Sequence, residues 1–390
     1  MTSPQTVGEL PSSGLRSTAE NLPGANRDRQ SNLPSLSGLR WSAALLVFLY
    51  HVSVVQYFGG LSAVLVDIAF GAGDVGVSFF FVLSGFVLTW STPTARAIPF
   101  YRRRFARIYP LHFVTALLAL VLAFTLAPGT KPDLAQLIAN LSLVQSWVPS
   151  VSFYQSVNPV SWSLSCEAFF YILFPLLFVL LRRIGWRGNA FVVAGCVALD
   201  LLLPMLAHHL VLSRDLNFFL YYFPPARLPE FLLGMALAQV VRAGRWRGPG
   251  VAVSLAVSAF GYFFSYCMPP EYRCVACTVI GITCLIAAVA LADIKGEPSP
   301  WRSRRAVQLG ELSFAFYMIH LFIMRTGEYV FRAHPHEGWF FGSIATLASF
   351  TISLTAAWLL HHSVEIPLRR LILSPPAGPT SNTSSANQAV

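Results

Sequence analysis

Charged side chains are scarce in this chain of 390 residues, making up 11% of it. An average soluble domain carries about 25%. Lysine is nearly missing: Lys131 and Lys295 stand against 25 arginines. So few charges cannot coat a soluble surface, and the same composition, 55% hydrophobic, excludes intrinsic disorder over most of the length. The formal net charge of +10 does not make the chain a soluble nucleic-acid binder; in a chain this apolar, surplus arginine marks membrane topology. The six cysteines show no spacing that implies a disulfide framework. The pair Cys274-Val-Ala-Cys277 has no second pair and opens a charge-free stretch, so the cysteines read as small, buried apolar side chains and no metal is implied. The early apolar segment of a signal peptide is also missing. Residues 1–34, rich in Ser, Pro, Asn and Gly, are expected to form a disordered tail, and so are 374–390.

What the chain has in abundance is long apolar runs. A helix needs about 20 apolar residues to cross the hydrocarbon core. Ten runs qualify: 41–58, 74–91, 109–127, 160–181, 189–212, 225–241, 249–268, 273–292, 310–331 and 339–361. The fold expected is all-α, a polytopic helical bundle of about ten spans over 35–373, in the cell membrane. With both termini in the cytoplasm, 21 of the 27 basic residues fall in inner segments and four in outer loops. The shorter, more polar stretch 133–149 would invert every later loop if it crossed, so it is read as re-entrant or interfacial.

Ionisable groups inside such runs are costly and are candidates for function. His51 follows Arg40 by eleven positions, about 16 Å along a helix, which places an imidazole near mid-membrane above an arginine at the headgroups. His320 is a second histidine within a span, and Glu167 lies early in another. Arg104 and Arg107 are three apart, on one helix face, and suit phosphate. Ser84-Gly85 reads as a helix-packing pair. Arg227 and Glu230 read as an i,i+3 salt bridge at the outer mouth of a span. Ser84, Ser165, Arg227 and Glu230 are candidates for acceptor contacts or for structure. Together these residues describe a polar cavity inside a bundle, which would serve a transporter as well as an enzyme.

Six blocks in order resemble the membrane-bound acyltransferase-3 family. They are Leu36-Ser-Gly-Leu39-Arg40 with His51, Phe80-Phe81-Val-Leu-Ser84-Gly85-Phe86, Arg104 to Pro110, Trp162 to Tyr171, Gly310 to His320, and Glu365-Ile-Pro367. One departure is Ser37, where the family often has Asp. The resemblance implies transfer of an acyl group, often acetyl, from acyl-CoA to a hydroxyl. The co-substrate would be acyl-CoA, with no bound cofactor, and the partners would be the lipid bilayer and a hydroxyl-bearing acceptor, not nucleic acid. Catalysis would fall to His51 as base, with Glu167 and His320 assisting. Donor binding would fall to Arg40, Arg102, Arg103, Arg104 and Arg107. The sequence is similar to the actinomycete branch that includes macrolide 3-O-acyltransferases, so the expected acceptor is a secondary metabolite such as a macrolide, with a cell-surface glycan as the alternative. The SGNH hydrolase-like domain that some bacterial members append is expected to be missing.

Overall fold

The computed structural model describes residues 33–94, 96–273, 275–331 and 338–374. The two expected tails lie almost wholly outside these residues, as do Cys274 and Arg332. Among the described residues there is no strand, and each of the ten apolar runs forms a helix. The α-helices of eight residues or more are α1 (Pro34–Val54), α2 (Gly60–Phe70), α3 (Val75–Ser91), α4 (Ala97–Thr125), α5 (Leu134–Leu141), α6 (Trp162–Arg183), α7 (Gly185–Leu210), α8 (Pro224–Arg242), α9 (Val251–Phe264), α10 (Val279–Lys295), α11 (Arg304–Phe331), α12 (Trp339–Leu360) and α13 (Ile366–Leu373). Helix α2 occupies a segment to which the sequence assigns no helix.

Six helical stretches are long and apolar enough to cross a membrane in their own right: Gly60–Ser91, Ala97–Thr125, Pro159–Arg183, Gly185–Leu210, Arg304–Val330 and Trp339–Leu373. The expected count was about ten. The other four runs form α1, α8, α9 and α10, of 21, 19, 14 and 17 residues. For α8 the shortfall has a physical reason. It buries 14 of its 19 residues inside the bundle, whereas α12 buries four of 22. A helix enclosed by other helices needs no continuous lipid-facing coat, so α8 can carry Arg227 and Glu230.

Segment 133–149 does not cross. Helix α5, opened by a capping box of Asp133 and Gln136, has eight residues, about 12 Å of rise. Side chains at its end and just after it fasten the segment to the start of α6. Asn140 Nδ2 donates to Ser156 O (3.0 Å) and Ser161 Oγ (3.1 Å), and Gln145 Nε2 donates to Ser161 O (3.0 Å). Ser146 Oγ donates to Trp162 O (3.1 Å). Backbone outside a spanning helix is tolerated at membrane depth when protein surrounds it in this way.

Arginines tie one end of the bundle together. Arg102 donates to Ile372 O and Ser374 O (2.7 Å each), Arg182 to Pro93 O (3.2 Å) and Arg242 to Thr89 O (3.1 Å). Guanidinium donors thus meet the last carbonyls of α3 and α13, groups left without partners within their helices. At the opposite end Tyr266 Oη accepts from Ala72 N–H (2.9 Å) and donates to Asp67 O (2.6 Å), joining the end of α9 to the turn after α2.

Glycines set two helix crossings. A Cβ at Gly85 would stand 2.0 Å from Phe231 O, and one at Gly234 1.9 Å from Val82 O, so α3 and α8 touch backbone to backbone. A Cβ at Gly310 would stand 1.8 Å from Ser37 O, so α11 is equally close to α1. The packing role read for Ser84-Gly85 therefore rests on the glycine. Of the cysteines expected to be buried, Cys166 and Cys196 are, whereas Cys267 is exposed at the end of α9.

Candidate active site

Two neighbouring cavities are lined by six of the twelve candidate residues. The first, of about 120 Å³, is lined by Arg40 from α1, Ser84 from α3, Arg104 and Arg107 from α4, and Glu167 and Tyr171 from α6. The three-residue spacing of Arg104 and Arg107 puts both on the face of α4 that looks inward. Arg107 is ion-paired with Glu365, which lies in the π-turn joining α12 to α13. The other carboxylate oxygen of Glu365 is 3.0 Å from His361 Nδ1. Glu167 accepts a hydrogen bond from Tyr171 Oη at 2.8 Å. Two carboxylates thus face three guanidinium groups. Arg104 Nε has no hydrogen-bond partner among the described residues. The cavity keeps a surplus of positive charge, which suits an anion with several acceptor oxygens.

The second cavity, of about 290 Å³, is lined by His51. It shares Val77 and Tyr317 with the arginine cavity. Tyr317 forms part of the partition, its hydroxyl lying 3.0 Å from Val160 O and 2.9 Å from Ser163 Oγ. Behind His51, fully buried, lies His320. The protons on this pair follow from the acceptors around it. His320 Nδ1 is 3.1 Å from Phe316 O and 2.7 Å from Tyr317 O, both of which can only accept. Nδ1 therefore carries the proton, and Nε2 of a neutral ring is an acceptor. That Nε2 is 3.1 Å from His51 Nδ1, which also lies 2.9 Å from Val47 O. Between two acceptors, His51 Nδ1 must be the protonated nitrogen. The lone pair of His51 is left on Nε2, the nitrogen a general base would use.

Several site expectations need correction. His51 stands in the last turn of α1, because α1 begins at Pro34, ahead of its apolar run. Arg40 lines the first cavity. Glu167 faces the arginines and lines no wall of the His51 cavity, so it does not orient that imidazole. His320 lines neither cavity and acts on His51 from behind. Arg102 is used in closing α13, and Arg103 is exposed; neither lines the arginine cavity. Ser165 is fully buried and lines neither cavity. Arg227 and Glu230 form their salt bridge at 3.2 Å, but both are fully buried, not at a mouth. Glu365, Tyr171 and Tyr317 were not singled out from the sequence, although each stands inside a quoted block. An acidic residue two before a proline at a span's end was the available sign for Glu365.

The acyltransferase-3 family model, described as an acyltransferase domain, matches residues 33–361. Acyltransferase MdmB of Streptomyces mycarofaciens is 40% identical over 362 residues, covering 88% of this chain and 93% of that protein. O-acetyltransferase OatA of Staphylococcus aureus is 30% identical over 225 residues, 53% of this chain and 34% of that protein. Peptidoglycan O-acetyltransferase OatA of Listeria monocytogenes is 28% identical with the same coverage. No solved structure matches. A helical bundle with stretches long and apolar enough to cross a membrane, matched by the family model over residues 33–361, belongs to the acyltransferase-3 family and is a membrane-embedded acyltransferase.

Proposed function

We propose that this protein transfers an acetyl or other short acyl group from acyl-CoA to a hydroxyl of a secondary metabolite such as a macrolide antibiotic. The observation that carries this reading is the junction of the two cavities: a polyanion site and a histidine with a free Nε2, sharing Tyr317 and Val77. The phosphates of acyl-CoA would bind at Arg40, Arg104 and Arg107, and the thioester end would extend past Tyr317 toward His51. His51 Nε2 takes the proton of the acceptor hydroxyl as its oxygen attacks the thioester carbonyl. The carbon–sulfur bond then breaks, and the CoA thiolate recovers the proton from the imidazolium. Likeness to acyltransferase MdmB along nearly the whole chain supports acyl transfer. Likeness to the OatA proteins favours a second reading, a surface glycan. The test is purified protein with acetyl-CoA and a deacyl macrolide, read as free CoA and as acylated product by mass spectrometry. Acetylated glycan in expressing cells, with no macrolide product, decides for the second reading.

Arg104→Ala and Arg107→Ala are each expected to raise the KM for acyl-CoA about tenfold or more, from loss of one charge-assisted hydrogen bond worth about 1.5–3 kcal/mol. Arg102→Ala, outside the cavity, should leave that KM alone. Unchanged KM in the first two variants would return them to marking topology.

In this reading both termini and the arginine end face the cytoplasm, where acyl-CoA is made. Single cysteines at Ser152 and Arg187, both exposed positions, on a background without native cysteines, check this. An impermeant thiol reagent added to whole cells should label position 152 and spare 187. The reverse pattern would overturn the orientation.

A further inference from the structure

A cationic patch away from both cavities has no part in the reaction proposed above. It forms where α6 turns into α7 and where α8 ends. Gly185, at φ +62°, lets the chain reverse there, and Arg182, Arg183 and Arg187 around it are all exposed. Arg242 and Arg245, also exposed, come from the end of α8 and the turn after it. The guanidinium groups of Arg187 and Arg245 both lie against the indole of Trp186, at 5.5 and 5.3 Å from its ring centroid. Arg182 and Arg242 donate to backbone carbonyls at the end of α3 and just after it, and Arg242 also lies 5.1 Å from the Trp90 ring centroid.

Negative charge is missing from this patch. None of these arginines has an ion pair among the described residues. The segments that build it, within 75–132, 168–199 and 231–270, contain no Asp or Glu at all. Topology marking calls for arginines at this end of the bundle, but not for two of them on one ring. Guanidinium groups held that near with no carboxylate repel each other, and an anion between them would remove the repulsion.

We propose that this patch binds the headgroup of an anionic phospholipid from the leaflet at the arginine end of the bundle. The surface beside it favours a lipid over a soluble polyanion. Helix α7 buries five of its 26 residues, so most of its length faces outward. Phe191, 79% exposed, stands one turn beyond Arg187 on the same face of α7. Ile184, 47% exposed, precedes the turn at Gly185. Acyl chains would cover this apolar flank while the phosphate meets the arginines. An indole ringed by basic side chains at the end of an outward-facing apolar helix is suited to the headgroup level of a bilayer, where basic clusters attract anionic lipid. A soluble phosphate compound would use the arginines and leave the apolar flank idle. None of Arg182, Arg187, Arg242, Arg245 and Trp186 lines the arginine cavity or the His51 cavity, so the proposal stands apart from the acyl-transfer reading.

The test uses full-length protein in detergent, incubated with phosphatidylglycerol or with phosphatidylcholine of the same acyl chains and read by native mass spectrometry. The wild type should hold phosphatidylglycerol at least about tenfold more tightly than phosphatidylcholine. The double variant Arg187→Gln, Arg245→Gln should lose about tenfold or more in phosphatidylglycerol affinity. A second double variant, Arg304→Gln, Arg305→Gln, removes the same charge from exposed positions of α11 and should bind like the wild type. Because all four side chains are exposed, both variants should unfold at the wild-type temperature in lipid-free detergent. No preference for phosphatidylglycerol in the wild type, unchanged affinity in the first variant, or an equal loss in the second would overturn the proposal. Displacement of the lipid by an equal concentration of sodium pyrophosphate would overturn it in favour of a soluble polyanion.

Discussion

Replacing His51 by Gln or Ala is expected to lower kcat at least about 10²-fold, within the range that a positioned general base supplies. The protein should still insert in membranes and elute from a sizing column like the wild type. The side chain stands in the last turn of α1 and lines a cavity, so its removal takes little packing with it. What it removes is the nitrogen whose lone pair the surrounding acceptors leave free. His320→Gln should cost less. That side chain positions His51 by accepting the Nδ1 proton, and without it His51 can turn or change tautomer. The readout of a positioning role is a pH profile for kcat displaced from that of the wild type, because the basicity of His51 changes with its partner. A purely structural His320 would lower yield and leave the profile in place. Near-wild-type turnover in His51→Gln would show that the base lies elsewhere.

The second large effect is on stability. Glu230→Leu is expected to destabilise the protein by about 3–5 kcal/mol, the usual loss when one partner of a buried ion pair is removed. Arg227 is fully buried, donates to Ser78 Oγ at 2.9 Å, and lies 5.3 Å from the ring centroids of both Phe81 and Tyr221. Removing Glu230 leaves its charge enclosed without a carboxylate at 3.2 Å. The double variant Arg227→Met, Glu230→Leu should recover most of the loss, because a buried pair can often be exchanged for apolar side chains at little cost. The measurement is thermal unfolding in detergent for the two single variants and the double one. A double variant no more stable than Glu230→Leu would mean that the pair holds α8 in place through contacts that apolar side chains cannot replace.

Much of this architecture was legible in the sequence because lipid imposes a coarse code. The ten apolar runs are helices, and 133–149 is a short one held by polar side chains. Arg104 and Arg107 share a cavity because a three-residue spacing fixes their common face. Tertiary packing hid the rest. A run of five basic and aromatic residues does not tell that Arg102 turns outward to close α13 while Arg104 turns inward. Nor can spacing along one helix tell that α1 starts at Pro34, which moves His51 toward the helix end. The partnership of His51 with His320 joins residues 269 positions apart. The quoted blocks contain both histidines, but only the crossing of α1 and α11 at Gly310 brings them together. Glu365 shows the converse. It was visible as part of a motif, yet its task as the counter-ion of Arg107 needs α12 and α13 folded against α4.

The clasp of Tyr317 on Val160 and Ser163 has a consequence for the cell as well as for the reaction. Cavities in series through a membrane protein would, if continuous, dissipate the proton gradient of the host. A phenol ring held by two hydrogen bonds stands at the meeting point of the first two cavities, where it would narrow any such path. In the proposed reaction an acyl arm passing that point would itself plug the opening. The enzyme could then move an acyl group along its length without becoming an ion leak.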